Sequence, residues 1–232
     1  MPQKTNPKSQ QLGLINYWPK IFQYYGKINV FFSHYFFYQS FYSFVKKSLQ
    51  KYSFFLLKSE SSIYNSLVCF SFFLQKKENI SSFHLIKKFS NFWSFKFKDQ
   101  KIKTRFYLKT SFISSEFLKT YIQYLEYKFY NPKKIFNILV FFLSKKLNQL
   151  QIEWTNKGPS FFLIKGFKVQ LTGRFDNTKT NNMSKKISFS VGKVKTTSFD
   201  YRVDFMNKPI FVKLGTCNFK IWIFYSNFSK LN

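Results

Sequence analysis

The side chains of this sequence that could carry chemistry are overwhelmingly cationic, and the chemistry they favour is the binding of phosphate. Thirty-eight lysines and arginines stand against nine aspartates and glutamates, which gives a formal charge of +29 over 232 residues. A compact state with that charge repels itself unless a polyanion neutralises it. Nucleic acid is the first candidate polyanion, and an anionic membrane surface is the second.

Residue types that catalyse reactions or hold metals are scarce in this chain. Its cysteines, Cys69 and Cys217, and its histidines, His34 and His84, are far apart, and none has the spacing of a metal ligand. The seven glycines form neither a phosphate loop nor a nucleophile elbow. We therefore expect two reduced, buried cysteines, no metal or cofactor, and no enzymatic activity.

Asp200 and Asp204 are a pair of carboxylates whose spacing is compatible with general acid and base catalysis, because both fall on one face of a predicted strand. Arg202 lies between them on that face. We interpret the three side chains as an exposed ladder of charges.

Four segments near the C-terminus alternate apolar and polar residues, as half-buried strands do. The pattern predicts a four-stranded antiparallel sheet with one buried face and one basic, polar face. The side chains expected on the apolar faces are Phe167, Val169 and Leu171; Ile187, Phe189 and Val191; Phe199, Tyr201, Val203 and Phe205; and Phe219, Ile221 and Ile223.

Two helices are predicted before this sheet. Ser115 and Glu116 suit a helix start, and large apolar residues then recur every four positions. Asn131 and Pro132 end that helix and start a second one, over about 133–150, which is apolar nearly all round and therefore expected to be buried. Residues 151–159 are predicted to be a connection.

The first half of the chain gives weaker patterns. Residues 1–20 combine prolines with polar residues and predict an extended basic arm that folds on a partner. Residues 21–110 predict a helix over 41–49 and a strand over 92–97. The N-terminus is neither a secretory signal nor an Arg-rich transit peptide, so an organellar location would imply synthesis in the organelle. The apolar runs at 66–74 and 135–143 reach about half the ~20 residues that span a bilayer.

The C-terminal segment resembles small-subunit ribosomal protein number three. The family pattern G-[IF]-K-[VI]-x-[VL]-[ST]-G-R is matched over 166–174, its G-[RK]-V stretch over 192–194 and its closing K-V-W-I-F strand over 220–224, and Asp204 falls on a family aspartate. The N-terminus is similar to the family's opening M-G-Q-K-x-x-P-x-G-x-R-L-G, with matches at Gln3, Lys4, Pro7, Leu12 and Gly13, followed by Trp18.

One family feature is missing. The central part of the family is a type II KH domain, whose Gly-x-x-Gly loop clamps the nucleic-acid backbone, and this sequence contains no Gly-x-x-Gly. Residues 21–110 are therefore expected to form a degenerate KH-like domain that does not bind RNA through that loop. Their many phenylalanines and tyrosines favour contact with protein neighbours.

The resemblance implies an α+β protein with a basic arm (1–20), a degenerate KH-like domain (21–110) and a C-terminal ribosomal domain (111–232). It implies a structural constituent of the small-subunit head in its mitochondrial form, made in the organelle and not inserted in a membrane. The expected partners are rRNA, mRNA where it enters the subunit, and neighbouring ribosomal proteins. The expected RNA-binding residues are Lys4, Lys8, Lys128, Lys133, Lys134, Lys168, Arg174 and Lys220.

Two other classes stay open. A peripheral membrane protein would share this basic and aromatic composition, but its basic residues should lie on amphipathic helices, whereas the clearest pattern is a sheet. An organelle-encoded RNA-binding factor outside the ribosome would leave the N-terminal resemblance unexplained.

Overall fold

A computed structural model of the chain describes residues 6–16, 18, 20–21, 35–36, 39–47, 54–64, 67–76, 101–108, 112–129, 131–155, 158–175, 184–194, 198–212 and 215–227. The chain divides into two compact units, one formed by Met1–Tyr17 with Ser111–Asn232 and the other by Trp18–Thr110. Both contain helix and strand, so the fold is α+β, as predicted. His34, His84, Lys4 and the strand predicted over 92–97 lie outside the described residues.

The unit Trp18–Thr110 contains a four-stranded mixed sheet in the order β1-β2-β3-β4. Its two long central strands are antiparallel, and each edge strand runs parallel to its neighbour. Residues 39–47 are helical and bury Phe41 and Val45, four residues apart on one face, which confirms the predicted helix as far as residue 47. The strands are β1 (Lys20–Ile21), β2 (Phe54–Tyr64), β3 (Leu67–Lys76) and β4 (Lys101–Leu108).

The other unit contains the helices α1 (Pro7–Gln10), α2 (Ser115–Lys128) and α3 (Pro132–Ser144). The cap of α2 is Ser114, one residue before the predicted start, and its hydroxyl accepts the backbone N–H of Phe117 at 3.1 Å. Asn131 caps α3 in the same way, with Pro132 at the first helical position. The second helix is not buried all round, since Phe141 is 61% exposed.

The sheet of this unit has five strands rather than the predicted four. The segment predicted as a connection forms β5, which shortens α3, and the strands are β5 (Leu150–Thr155), β6 (Gly158–Gly173), β7 (Lys185–Gly192), β8 (Arg202–Val212) and β9 (Gly215–Asn227). Their order is β5-β6-β9-β8, all antiparallel. The first half of the long β6 pairs with β5 and its second half pairs with β7. β5 does alternate apolar and polar residues, but its buried residues, Gln151 and Glu153, are the polar ones, so the alternation predicts the wrong inward face.

The core of this unit lies between one face of the sheet and the two longer helices. α2 packs against β8, and α3 packs against β6. The apolar faces predicted for β6 and β9 are confirmed, because Phe167, Val169 and Leu171 on β6 are fully buried and the inward residues of β9 are buried beside them. In β7, at the sheet edge, Phe189 stays partly exposed.

The orientation predicted for β8 is wrong at Asp204 and Phe205, although Val203 is buried as predicted. Register pairs Asp204, Met206 and Ile210 with inward-facing residues of β9, while Phe205 pairs with Trp222 on the opposite side of the sheet. The predicted alternation is present, but the charged residues at its start face inward. A strand that begins with two charged residues can turn them inward when buried partners neutralise them, as they do here.

The described part of the N-terminal segment, residues 6–16, is not an extended arm. It forms α1 and a turn that lies along the free edge of β8, where side-chain amides replace a neighbouring strand. The Gln11 side chain accepts the Val203 N–H at 2.7 Å and donates to the Tyr201 carbonyl at 2.8 Å, and Asn16 donates to the Val203 carbonyl at 3.3 Å. These bonds cover an edge that would otherwise expose unpaired backbone groups.

No helix in the described part of the chain is long and apolar enough to cross a membrane.

Candidate nucleic-acid interface

The sheet surface that faces away from α2 and α3, which we term the outer face, carries three aligned rows of side chains from four strands. All of these residues are exposed or half-exposed, three of them are lysines, and none is acidic. The rows, from β7 to β8, are Ser190, Lys168, Trp222 and Phe205; Ser188, Gln170, Lys220 and Asn207; and Lys186, Thr172, Asn218 and Pro209.

An aromatic pair lies in the first row beside a lysine. The rings of Phe205 and Trp222 have centroids 5.1 Å apart and are tilted by 42°. The Lys168 ammonium lies 5.7 Å from the Trp222 ring centroid, a cation–π contact of about 0.5–1 kcal/mol at an exposed site. Lys220 lies in the next row, so the structure brings these two predicted lysines onto one surface.

Arg174 directly follows Gly173, the last residue of β6, whose backbone conformation favours glycine. Gly173 has a φ of 135°, and a Cβ there would lie 2.7 Å from the Thr216 carbonyl oxygen. The Arg174 carbonyl accepts a hydrogen bond from the thiol of Cys217 at 3.3 Å, and burial raises the pKa of that thiol. Cys217 is therefore a buried free cysteine, as predicted.

The corner between α2 and α3 gathers three more of the predicted lysines. Lys128 and Lys134 both approach the Phe129 ring, with their ammonium nitrogens 5.5 and 4.6 Å from its centroid. Lys133 lies beside them in the first turn of α3, and all three lysines are exposed. The corner is separate from the outer face, so the predicted residues form two basic surfaces.

Lys8 points into the protein. Its ammonium lies 2.7 Å from Asp204 Oδ1 and 3.3 Å from the Ser115 hydroxyl, and its side chain is 35% exposed. An RNA contact by Lys8 stays a prediction, and any such contact would compete with this ion pair.

Asp204 is the centre of a group that sequence reasoning missed. Besides Lys8, it accepts the backbone N–H of Ser115 at 2.6 Å, so it ties the N-terminal segment and the start of α2 to β8. Burial alone would raise the pKa of Asp204. The charge and hydrogen bond of Lys8, helped by Arg202 and the Ser115 amide, outweigh burial and lower that pKa. The exposed charge ladder predicted for Asp204 and Arg202 is therefore wrong.

Arg202 and Glu153 form a second buried ion pair. The guanidinium donates a hydrogen bond to each carboxylate oxygen, one of them at 3.3 Å, and lies over the rings of Phe112 and Phe162. Burial alone would lower the pKa of Arg202, but Glu153 raises it. The sequence signal that could have indicated these roles is the scarcity of carboxylates combined with the family match at Asp204.

Two further bonds hold the chain just before α2. Ile113 donates its N–H to Gln151 Oε1 at 3.2 Å, and its carbonyl accepts the hydroxyl of Tyr225. Burial, with the nearby Asp204 charge, raises the pKa of Tyr225 well above its ordinary value. The buried charges and the Tyr225 hydroxyl thus hold the N-terminal segment and the start of α2 against the sheet. In the described ranges, no three potential metal ligands cluster together.

The geometry thus defines an α+β unit with a basic outer face and a buried polar network that holds the N-terminal segment and α2 to the sheet. No family model matches the sequence. The chain is 30% identical over 246 residues to small ribosomal subunit protein uS3m of Chondrus crispus, covering 97% of this chain and 95% of that protein. The chain therefore belongs to the uS3 family of mitochondrial small-subunit ribosomal proteins, a structural family without enzymatic activity. The family and the mitochondrial location predicted from sequence are confirmed.

Proposed function

We propose that this protein is a constituent of the head of the mitochondrial small ribosomal subunit, where it binds rRNA and borders the place where mRNA enters. The observation that carries the proposal is the similarity to uS3m over nearly the whole chain. The charge of +29 and the acid-free outer face support rRNA as the polyanion, because lysine and arginine bind phosphates with little sequence preference.

We also propose a different function for each unit. Residues 111–232 act as the C-terminal uS3 domain, and residues 21–110 act as a degenerate KH-like domain. A mixed sheet with an adjoining helical stretch is compatible with a KH-like fold. Without the Gly-x-x-Gly loop, this domain contacts neighbouring proteins rather than RNA. Lys4, which precedes the residues that pack on β8, contacts rRNA.

We expect Arg174→Glu to lower incorporation into the small subunit, because a guanidinium binds phosphate with two parallel hydrogen bonds and a carboxylate repels it. The measurement is subunit occupancy in sedimentation fractions after a high-salt wash. Wild-type protein should stay bound, as integral subunit proteins do, whereas a loosely bound RNA factor is lost as salt rises.

Arg174→Lys is the matched control, since it keeps the charge and should retain part of the occupancy. Equal occupancy of Arg174→Glu and wild type would contradict the role of this residue. Loss of the wild-type protein in the wash would contradict the proposed function as a whole.

The corner of α2 and α3 is the surface we propose for mRNA. Lys128, Lys133 and Lys134 are exposed there and match the basic helix of the family, although Pro132 divides that helix into two. We expect Lys128→Gln with Lys134→Gln to reduce crosslinks from mRNA to this protein while subunit occupancy stays at the wild-type level. Lys145→Gln with Lys146→Gln, at the far end of α3, is the control. Unchanged mRNA crosslinking in the first variant would exclude the corner.

A further inference from the structure

The first row of the outer face combines features that a purely electrostatic surface does not need. Trp222 and Phe205, both partly exposed, form an aromatic pair on the outer face, and Lys168 approaches the same ring system. Hydroxyl and amide side chains surround them in the neighbouring row, at Ser188, Gln170 and Asn207.

We propose that this row is a stacking platform for an unpaired nucleotide of RNA. The inference rests on the proposed function and deepens it, since it names single-stranded rather than duplex RNA as the ligand of the outer face. Base stacking on aromatic side chains is sequence-tolerant because every base has a π-face, and lysines beside the ring neutralise the adjoining phosphates.

The cation–π contact of Lys168 does not block the Trp222 ring, because a base can displace the lysine. Lys168 has a long flexible side chain, and its contact with the Trp222 ring is weaker than the stacking of a base on the same ring. A base that enters the row moves the lysine off the ring, and the freed ammonium then reaches the phosphate beside that base. Lys220, one row along β9, meets the next phosphate.

Charge favours RNA over a protein partner for this surface. The three rows contain three lysines and no carboxylate, and their other members are mainly amides and hydroxyls. A protein-binding surface of comparable size is depleted of lysine at its centre. A duplex would not use the rings either, because its bases are already stacked on one another.

The test compares Trp222→Ala with Trp18→Ala in the full-length protein. Trp18 is 60% exposed in the other unit, so its removal deletes the same side chain elsewhere. The probes are a fluorescent oligouridylate of about ten nucleotides, within the range of sheet-based single-strand sites, and an RNA duplex of equal length. Trp222→Ala should weaken oligouridylate binding by about 10-fold or more and change duplex binding less than about 2-fold.

Two companion variants separate stacking from folding and from charge. Trp222→Phe should keep most of the oligouridylate affinity, because phenylalanine also offers a ring for stacking, and the retained duplex binding of Trp222→Ala reports that this variant is folded. Lys168→Gln should weaken oligouridylate binding and reduce the slope of its log affinity against log salt by about one, because this lysine meets a phosphate of the bound strand.

The platform is overturned if Trp222→Ala binds oligouridylate as Trp18→Ala does, or if both probes lose affinity equally. In assembled subunits, a photoreactive group at position 222 should crosslink to rRNA, and a crosslink to a neighbouring protein would also overturn the platform. Wild-type retention in the high-salt wash is independent of these outcomes, so a failed platform and a failed ribosomal role are distinguishable.

Discussion

Asp204→Asn is expected to lower the free energy of unfolding of the unit that contains the C-terminal sheet by about 3 kcal/mol, at the lower end of the range for breaking a buried charge pair because Lys8 keeps part of its solvent contact. The amide keeps one acceptor oxygen but turns its NH2 group toward either Lys8 or the Ser115 N–H, both of which are donors. Urea unfolding measures the loss. Hydrogen exchange should locate it at the start of α2 and along β8.

Asp200→Asn is the matched control for this change. Asp200 is exposed in the turn before β8, so its substitution should alter stability by less than about 0.5 kcal/mol. Equal stabilities of the two variants would show that Asp204 does not hold the N-terminal segment and α2 together.

Acid should act on the same carboxylate. The folded-state pKa of Asp204 is lowered, so its stabilising contribution is complete above its unfolded pKa of about 3.9 and is lost as the pH falls toward the folded value. Wild type should therefore lose more stability than Asp204→Asn as the pH falls below about 4. Parallel pH profiles of the two proteins would contradict this assignment.

Glu153→Gln is expected to cost about 3–5 kcal/mol, because the substitution leaves the Arg202 charge facing a neutral amide in a nearly closed site. Only 11% of the Arg202 side chain and 3% of the Glu153 side chain are exposed. The two rings beside the guanidinium offer cation–π contact but no acceptor oxygen. Thermal and urea unfolding of the full-length protein measure the effect.

The matched test is a double-mutant cycle. Glu153→Met and Arg202→Met should each destabilise the protein about as strongly as Glu153→Gln, because each leaves one buried charge without its partner. The double variant Glu153→Met with Arg202→Met should be more stable than either single variant, since apolar residues of similar volume replace the whole pair. Additive losses in the double variant would show that the two side chains do not act as a pair.

Much of the fold could be predicted from local pattern. The alternation of β6 and β9 determines which of their faces is buried, and the caps before Ser115 and Pro132 determine where two helices begin. Such features depend on neighbours within a few residues of the chain. The inward faces of β5 and β8 could not be predicted in this way, because Gln151, Glu153, Arg202 and Asp204 are polar residues whose burial depends on partners far away in sequence.

The candidate interface could likewise be predicted only in part from the sequence. Composition alone indicates a polyanion partner, and the two family-like stretches at opposite ends of the chain indicate the ribosomal family. The alternation predicts Lys168, Lys220 and Trp222 on the polar face, but only the strand register could show that they are neighbours and that Phe205 lies beside Trp222.

The sequence by itself determined the charge, the family and the periodic elements, because each of these depends on residue types and short spacings. The tertiary structure decided the role of the N-terminal segment. Lys8 reads as one more phosphate-binding lysine, yet it binds Asp204, 196 positions away. That contact exists because the edge of β8 exposes backbone groups that Gln11 and Asn16 satisfy, and this brings Lys8 within reach of a buried carboxylate.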